Sequence, residues 1–501
     1  SVSLGIGMSV EIESVLLGHS EDITSVRWLG NTLVSSSLDC SILIWKEKDG
    51  IWMNEQRFGQ LNGNRNGFFG LATLPDSQVI IGSTYTGALY GWKIDSEKTW
   101  KSINDLPSGH HKAVKDLRWI NKGMNLASCS SDQTTRVFTE FEKTWIEISR
   151  AQIHGHDLCS IATVGGPDDS LELLLSAASE KIIRILEPTS HFVNLHNISH
   201  QDKPKNQLRL FIPMDNHCKL ISKMPLIYQP VSETGQEVLG LMTKVVKEEK
   251  SNYYFEENSK SVKTNNFPYL NYFSNNESKD KFKPTEDFLC NYTLWPELNK
   301  LYGHGNDLQC VEVSEFDQTV VSCCKSLDSL NAALIFWDLK NFKVNYKVEL
   351  HKTTVLDLKF GVDFLVSVGK DRCIGLWKKD SEKYNPVFSS TGHLKLIYSV
   401  AVGFNSSSDY FCTGSRDKSI KLWKVNRKDG LPFDFSLSLD IKTTFSCTAI
   451  EFIDESTIMA GDEEGHMTIY SLSSDFLSCQ EIKEKIAFHF EHGKRVNKIR
   501  R

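Results

Sequence analysis

The chain has 501 residues, of which 40% are hydrophobic and 24% charged, with a formal net charge of −6. Such a length supports more than one domain and a large core, and the composition is ordinary for a globular protein in water. The mild acidity gives no bulk pull towards nucleic acid or an anionic membrane, and no uninterrupted apolar run is long enough to span a bilayer. Twelve cysteines are scattered without a CxxC pair, and Cys323 and Cys324 are adjacent. That usage argues against a zinc site or a disulfide framework and fits a reducing compartment, cytoplasm or nucleus.

In chain order, residues 8–17 predict an outer strand, Gly18-His19 a turn, and residues 23–28 an inner strand leading to Ser35, Asp39 and Trp45. Residues 52–93 form the next unit, with Gly67-Phe-Phe-Gly70 at its entry and Trp92 at its close. Residues 98–139 follow, entered at Gly109-His110 and carrying Ser128, Asp132 and Phe138. Residues 145–186 are entered through Ile153-His154-Gly155-His156, where the glycine marks His156 as the entry histidine and His154 as its loop neighbour.

After Leu186 the pattern changes. Runs at 208–220 and 238–246 are apolar enough for outer strands, whereas 247–283 turns to Lys, Glu, Asn and Ser and predicts a mobile loop. The tyrosines and phenylalanines in that loop also allow a short docking motif. From Pro284 the units resume, entered at His304, His351 and His393 and closing at Trp337, Trp377, Trp423 and Tyr470. The last residues, His492 to Arg501, read as a blade entry and one inner strand, so the final unit is expected to be cut short.

One ruler fits these units. Thr413, Asp417 and Trp423 stand at intervals of four and six residues, as do Ser35, Asp39 and Trp45, and Ser367, Asp371 and Trp377. A histidine precedes each, and the set allows a chain of hydrogen bonds from carboxylate to imidazole to hydroxyl to indole. The pattern resembles the tetrad of the WD40 repeat, whose units of about 40–45 residues build four-stranded propeller blades. The expected fold is therefore an all-β WD40 propeller. Its structural tetrads would draw on His19, Ser35, Asp39, Trp45, His110, Ser128, Asp132, His351, Ser367, Asp371, Trp377, His393, Thr413, Asp417 and Trp423.

Several stretches go beyond the repeat: Asp132-Gln-Thr-Thr-Arg-Val-Phe138, Arg150-Ala-Gln-Ile-His-Gly-His-Asp157, and Leu294-Trp-Pro-Glu-Leu-Asn-Lys-Leu-Tyr-Gly-His-Gly305. They resemble the second subunit of the Elongator complex, a double WD40-propeller family. The resemblance implies two seven-bladed propellers, with residues 1–97 as the last two blades of the first and 98–501 as most of the second, carrying an insertion at 247–283. It also implies a non-catalytic scaffold supporting tRNA wobble-uridine (U34) modification. Its partners would be the largest scaffold subunit and the radical-SAM and acetyltransferase subunit, with tRNA met indirectly or weakly and no membrane. Trp295, Glu297, Lys300 and Tyr302 are the candidate partner surface, since the repeat's own hydrogen bonds require no charge there. The other reading is a substrate-receptor or adaptor propeller, for instance of a ubiquitin ligase.

Chemistry of other kinds has weaker support. His154, His156 and Cys159 could suggest a metal, but no second cluster completes four ligands. Asp and His recurring at a structural spacing are core groups rather than parts of a hydrolase triad. Neither phosphate-binding glycine motif is present, so no cofactor and no catalytic residue is assigned. The basic end (Lys494, Arg495, Lys498, Arg500, Arg501) either touches tRNA phosphates or forms a solvated strand face. The absence of interleaved aromatics favours the latter.

Overall fold

The computed structural model describes residues 12–59, 67–199, 284–482 and 495–500, with short gaps inside these spans, and four short strands elsewhere. The expected loop at 247–283 and the apolar run at 208–220 lie outside the described residues. Of the run at 238–246, Thr243–Val246 is a strand in a two-stranded sheet with Glu233–Gln236.

The described residues fall into two compact units, one built mainly from Ser1–His111 and one mainly from residues 112–199 and 294–500. The smaller holds two four-stranded antiparallel sheets. One runs Ile23–Leu29, Thr32–Ser37, Ser41–Lys48, Ile51–Gly59, and the other Phe68–Leu74, Val79–Thr84, Leu89–Ile94, Trp100–Ile103. Between them Val34, Ile42, Phe68 and Ile80 are buried.

The larger unit holds six sheets whose first strands are Val114–Ile120, Leu158–Val164, Leu308–Val313, Val355–Phe360, Ile397–Val402 and Cys447–Asp454. Each of these inner strands neighbours the next in chain order. Every one of them slips register by one residue just after its start, as at Val355/Asp357 and Ile397/Ser399. Such bulges bend and twist a strand, and here they recur where the inner strands crowd together. Apolar side chains from consecutive sheets interlock. Val366, Leu376 and Phe411 fill one such seam, and Leu175, Ile183 and Val311 another. This is the all-β WD40 propeller architecture expected from the repeat. A helix, Ser190–Ser199, follows the third strand of the second sheet.

That sheet departs from the repeat. Its third strand is Ile182–Leu186, and its fourth is Glu297–Tyr302, supplied from far along the chain. Just before it, Leu294–Trp295 pairs parallel to the outer strand Thr144–Ala151 of the preceding sheet. The stretch expected to face a partner is therefore a fold-building one. Trp295 is a correction to the candidate surface, being only 2% exposed. Its indole N–H donates to Ser149 Oγ at 2.9 Å, and its ring meets Phe192 edge-on at 5.0 Å. A large buried aromatic with a satisfied N–H anchors both strands and the helix. Trp295→Ala should lower stability by about 3–5 kcal/mol, read as a shift in the urea unfolding midpoint; a midpoint unchanged from the parent would contradict this anchoring.

Candidate functional site

Among the described residues, three sheets carry the complete His, Asp, hydroxyl and Trp tetrad. In the first of the chain, His19 Nδ1 lies 2.9 Å from Asp39 Oδ2 and Nε2 2.8 Å from Ser35 Oγ, while the Trp45 indole donates to the same hydroxyl at 2.8 Å. His351, Asp371, Ser367 and Trp377 repeat this at 3.1, 2.7 and 2.8 Å. His393, Asp417, Thr413 and Trp423 do so at 3.0, 2.7 and 2.9 Å. The hydroxyl accepts from the indole and donates to Nε2, so the imidazole proton sits on Nδ1 and points at the carboxylate.

The aspartate also builds its own turn. Asp39, Asp132, Asp371 and Asp417 each accept the N–H of the residue two further on, at 2.9–3.1 Å. The residue between has positive φ although it is not glycine: Cys40 (65°), Gln133 (69°), Arg372 (66°) and Lys418 (63°). An Asx turn therefore holds a left-handed residue that the backbone alone disfavours. Burial by itself would push the Asp417 carboxyl up, but hydrogen bonds from Ser419, the Leu394 N–H and His393 hold it down at about 2.

The glycine before the histidine has a packing cause. A Cβ on Gly18 would come within 2.8 Å of the Trp45 ring, and one on Gly392 within 2.7 Å of Trp423. His351 follows Leu350 instead, and there Gly375 on the facing strand makes the room, since a Cβ at 375 would meet Leu350 at 2.3 Å.

Other units keep part of the set. In the second sheet of the larger unit the tetrad histidine is His154, not His156. His154 is buried, with Nε2 2.8 Å from Ser176 Oγ and Nδ1 3.3 Å from Glu180, whereas His156 is exposed. The glycine was a misleading signal; four residues from histidine to inner strand is the better ruler, and it fits His19, His304, His351 and His393 as well. His304 reaches Ser322 and thereby Trp337, at 2.7 Å each, and burial, with Lys347 adding, pushes its imidazole down to about 4. Ser128 and Asp132 are buried in the larger unit, while His110 is half-buried in the smaller one.

The remaining candidate surface residues are mixed. Tyr302 is 66% exposed. Glu297 and Lys300 are half-buried and serve the fold: Glu297 lies 3.1 Å from Lys300 Nζ and 3.4 Å from Arg184, which is held in turn by Glu180 at 2.9 Å. The expectation that no blade interaction uses a charge at these positions is thus corrected. The particular residues of the other two motifs meet in a buried triad. Arg136 pairs with Glu147 at 2.8 Å, and Arg150 with the same carboxylate at 2.5 Å. Burial raises the Glu147 carboxyl, but Arg150 and Arg136 outweigh it and hold it down.

Sequence reasoning missed the centre of the larger unit. Four carboxylates on inner strands, Asp116, Glu312, Asp357 and Glu451, are all buried there. Arg118 pairs with Glu312, and Lys359 with Glu451 at 3.1 Å. The other two positive charges come from the basic end of the chain. Lys498 Nζ lies 2.7 Å from Asp357, and the Arg500 guanidinium 3.3 Å from Asp116 and 3.5 Å from Glu312, with its side chain only 5% exposed. Around them Val496 N–H donates to Asp462 O, the Thr448 hydroxyl to Val496 O, and the Asn497 amide to Val114 O. Residues 495–500 thus lie between the last sheet and the first. Lys498 and Arg500 are not on a solvated face, which corrects that expectation. Burial raises the Asp116 carboxyl, but Arg500, Lys498 and Arg118 hold it at about 2.

One further group resembles a metal site. His351, Asp371 and Cys373 place their ligand atoms within 4.8 Å of one another. The first two belong to the tetrad, and burial followed by Asp371 pushes the Cys373 thiol up to about 11, so it stays protonated at neutral pH.

The family model described as "WD domain, G-beta repeat" matches residues 11–46, 100–139 and 384–424. Elongator complex protein 2 of Rattus norvegicus is 29% identical over 95% of this chain and 61% of its own length. The protein of that name from Drosophila melanogaster is 31% identical over 92% of this chain and 59% of its own, and that from Homo sapiens 30% over 84% and 52%. The chain is a WD40-repeat protein related to Elongator complex protein 2. It spans between half and two thirds of the length of these relatives. Among solved structures, the crystal structure of the WD40 β-propeller domain of Doa1 aligns with a TM-score of 0.41 at 15% identity, over 75% of this chain and 84% of that one.

The tetrad geometry sets a measurable cost. Asp417→Ala strips the Asx turn and removes the carboxylate partner of His393 Nδ1, which should cost about 1–3 kcal/mol. Ser20→Ala should be near neutral, because only the backbone N–H of Ser20 bonds Asp39. A carboxyl whose pKa is lowered on folding stabilises above its unfolded value near 3.8 and loses that contribution as pH falls towards 2. Urea midpoints should therefore separate the two variants at pH 7 and begin to converge below pH 4. Equal midpoints at pH 7 would contradict the tetrad assignment.

Proposed function

We propose that the chain is a non-catalytic WD40 scaffold subunit of the Elongator complex, holding other subunits in support of tRNA wobble-uridine (U34) modification. The observation that carries this reading is similarity to Elongator complex protein 2 extending along 92–95% of the chain, well beyond the WD40 matches themselves. Such an extent takes in the Arg136–Glu147–Arg150 triad and the 294–305 stretch, neither of which the hydrogen-bonded repeat requires. The His, Asp and Ser groups are bound to one another and to indoles in the blades, which suits rigid presentation of loops rather than hydrolysis.

In this reading residues 1–97, with the strand Trp100–Ile103 that pairs with Leu89–Ile94, belong to a first propeller and the following sheets to a second. The partners are the largest scaffold subunit and the radical-SAM and acetyltransferase subunit, tRNA is met indirectly, and the setting is the cytoplasm and nucleus. No helix among the described residues is long and apolar enough to cross a membrane.

Two measurements test the proposal. The tagged full-length protein purified from cells should bring down Elongator subunits, and cells lacking it should lose wobble-uridine modification. Full modification in those cells, or recovery of ubiquitin-ligase adaptors instead, would overturn it. The purified chain alone should show no tRNA-modifying, acetyl-transfer or hydrolytic activity.

A further inference from the structure

The sheet Cys447–Asp454, Thr457–Asp462, Met467–Leu472, Cys479–Ile482 has the frame of its neighbour without the tetrad. Strand register aligns the two: Cys447 opposes Asp462 as Ile397 opposes Ser415, and Ile458 opposes Tyr470 as Phe411 opposes Trp423. Thr443 therefore stands in place of His393, Ala460 of Thr413, and Tyr470 of Trp423. An imidazole, a hydroxyl and an indole are replaced by groups that cannot reach one another.

A cavity of about 240 Å³ lies at this position, and its wall includes Thr443, Ala460, Tyr470 and Phe445, the carboxylates of Asp462 and Glu481, and the basic side chains of Lys442 and His466. At roughly 30 Å³ per water it has room for a side chain. Ile420, Cys447 and Ala460 give it an apolar base. Phe445 stacks on His466 with ring centroids 5.4 Å apart, and His466 is held by Asp462 at 3.0 Å. Lys442 is drawn away to Asp440 at 3.0 Å. The Glu481 carboxylate is exposed, and no described side chain forms an ion pair with it. Burial, then Glu481, pushes the Tyr470 hydroxyl up to about 12, so it remains a neutral donor.

The neighbouring sheets show what such a space holds: a planar nitrogen ring between a carboxylate and a hydroxyl. Here Asp462, Glu481 and the rings of Phe445 and His466 line the space, and no imidazole stands at the position of His393. An anion would meet Asp462 and Glu481. A flat cation is matched on both counts, and a guanidinium stacks on aromatic rings and pairs with carboxylates better than an ammonium does. We propose that this cavity receives an arginine side chain presented by a partner protein, its guanidinium paired with Glu481 beside Phe445. The inference goes beyond the scaffold reading and is tested on this chain alone, so the two can fail separately.

The probe is N-acetyl-arginine methylamide, followed by saturation-transfer NMR against the purified chain, with the neutral citrulline analogue as its control. We expect saturable binding that is at least about tenfold weaker for citrulline, the factor of one charge-assisted contact. Glu481→Gln, at an exposed position, should weaken the arginine probe by a similar factor. A quadruple variant rebuilding the tetrad (Thr443→His, Ala460→Thr, Glu464→Asp, Tyr470→Trp) should fill the cavity and abolish binding. Absence of binding to the parent chain, equal binding of citrulline, or binding that survives Glu481→Gln would each overturn the proposal.

Discussion

Four buried carboxylates at the centre of the larger unit constrain everything packed around them. An ion taken out of water without a partner costs several kcal/mol, so Asp116, Glu312, Asp357 and Glu451 demand four positive charges at short range. Arg118 and Lys359 supply two from the same inner strands. The other two, Lys498 and Arg500, arrive on a segment that lies between the last sheet and the first. The carboxylates are also tied into the strands: Asp116 accepts from Ser160 at 2.9 Å and Asp357 from Ser399 at 3.0 Å, each bridging to the next sheet. Charge balance and the ring of inner strands are one arrangement.

Away from the centre the same rule works with uncharged donors. Each tetrad aspartate is held by an imidazole and by backbone N–H groups, and each hydroxyl by an imidazole and an indole, so no member is left buried alone. Glycine appears where the indole comes closest. Where Leu350 replaces it, Gly375 across the sheet restores the space. The last sheet drops histidine, hydroxyl and indole together, in Thr443, Ala460 and Tyr470, rather than keeping an orphaned histidine.

Much of this was legible in the sequence, for local reasons. Hydroxyl, carboxylate and indole lie on two strands and their turn, so their spacing is fixed by a hairpin and survives as a ruler. His154 was misread because glycine drew attention to His156, although distance to the inner strand is what places the ring. Trp295 looked like a surface residue because the repeat does not require it. Its partner, Ser149, lies in another sheet and far along the chain. The basic end looked solvated because its counter-charges are spread over four inner strands and meet only in the folded ring. Pairings across such separations leave no periodic trace in a single sequence.

The central claim is that Arg500 and the inner-strand carboxylates are coupled. A double-mutant cycle measures this directly, with urea unfolding of the parent, Arg500→Met, Asp116→Asn and the double variant. Removing one partner of a buried pair should cost about 3–5 kcal/mol, and the double variant should recover a large part of the summed loss, with a coupling of about 1–3 kcal/mol. Strictly additive losses would show that residues 495–500 do not answer the charge of the buried inner-strand carboxylates.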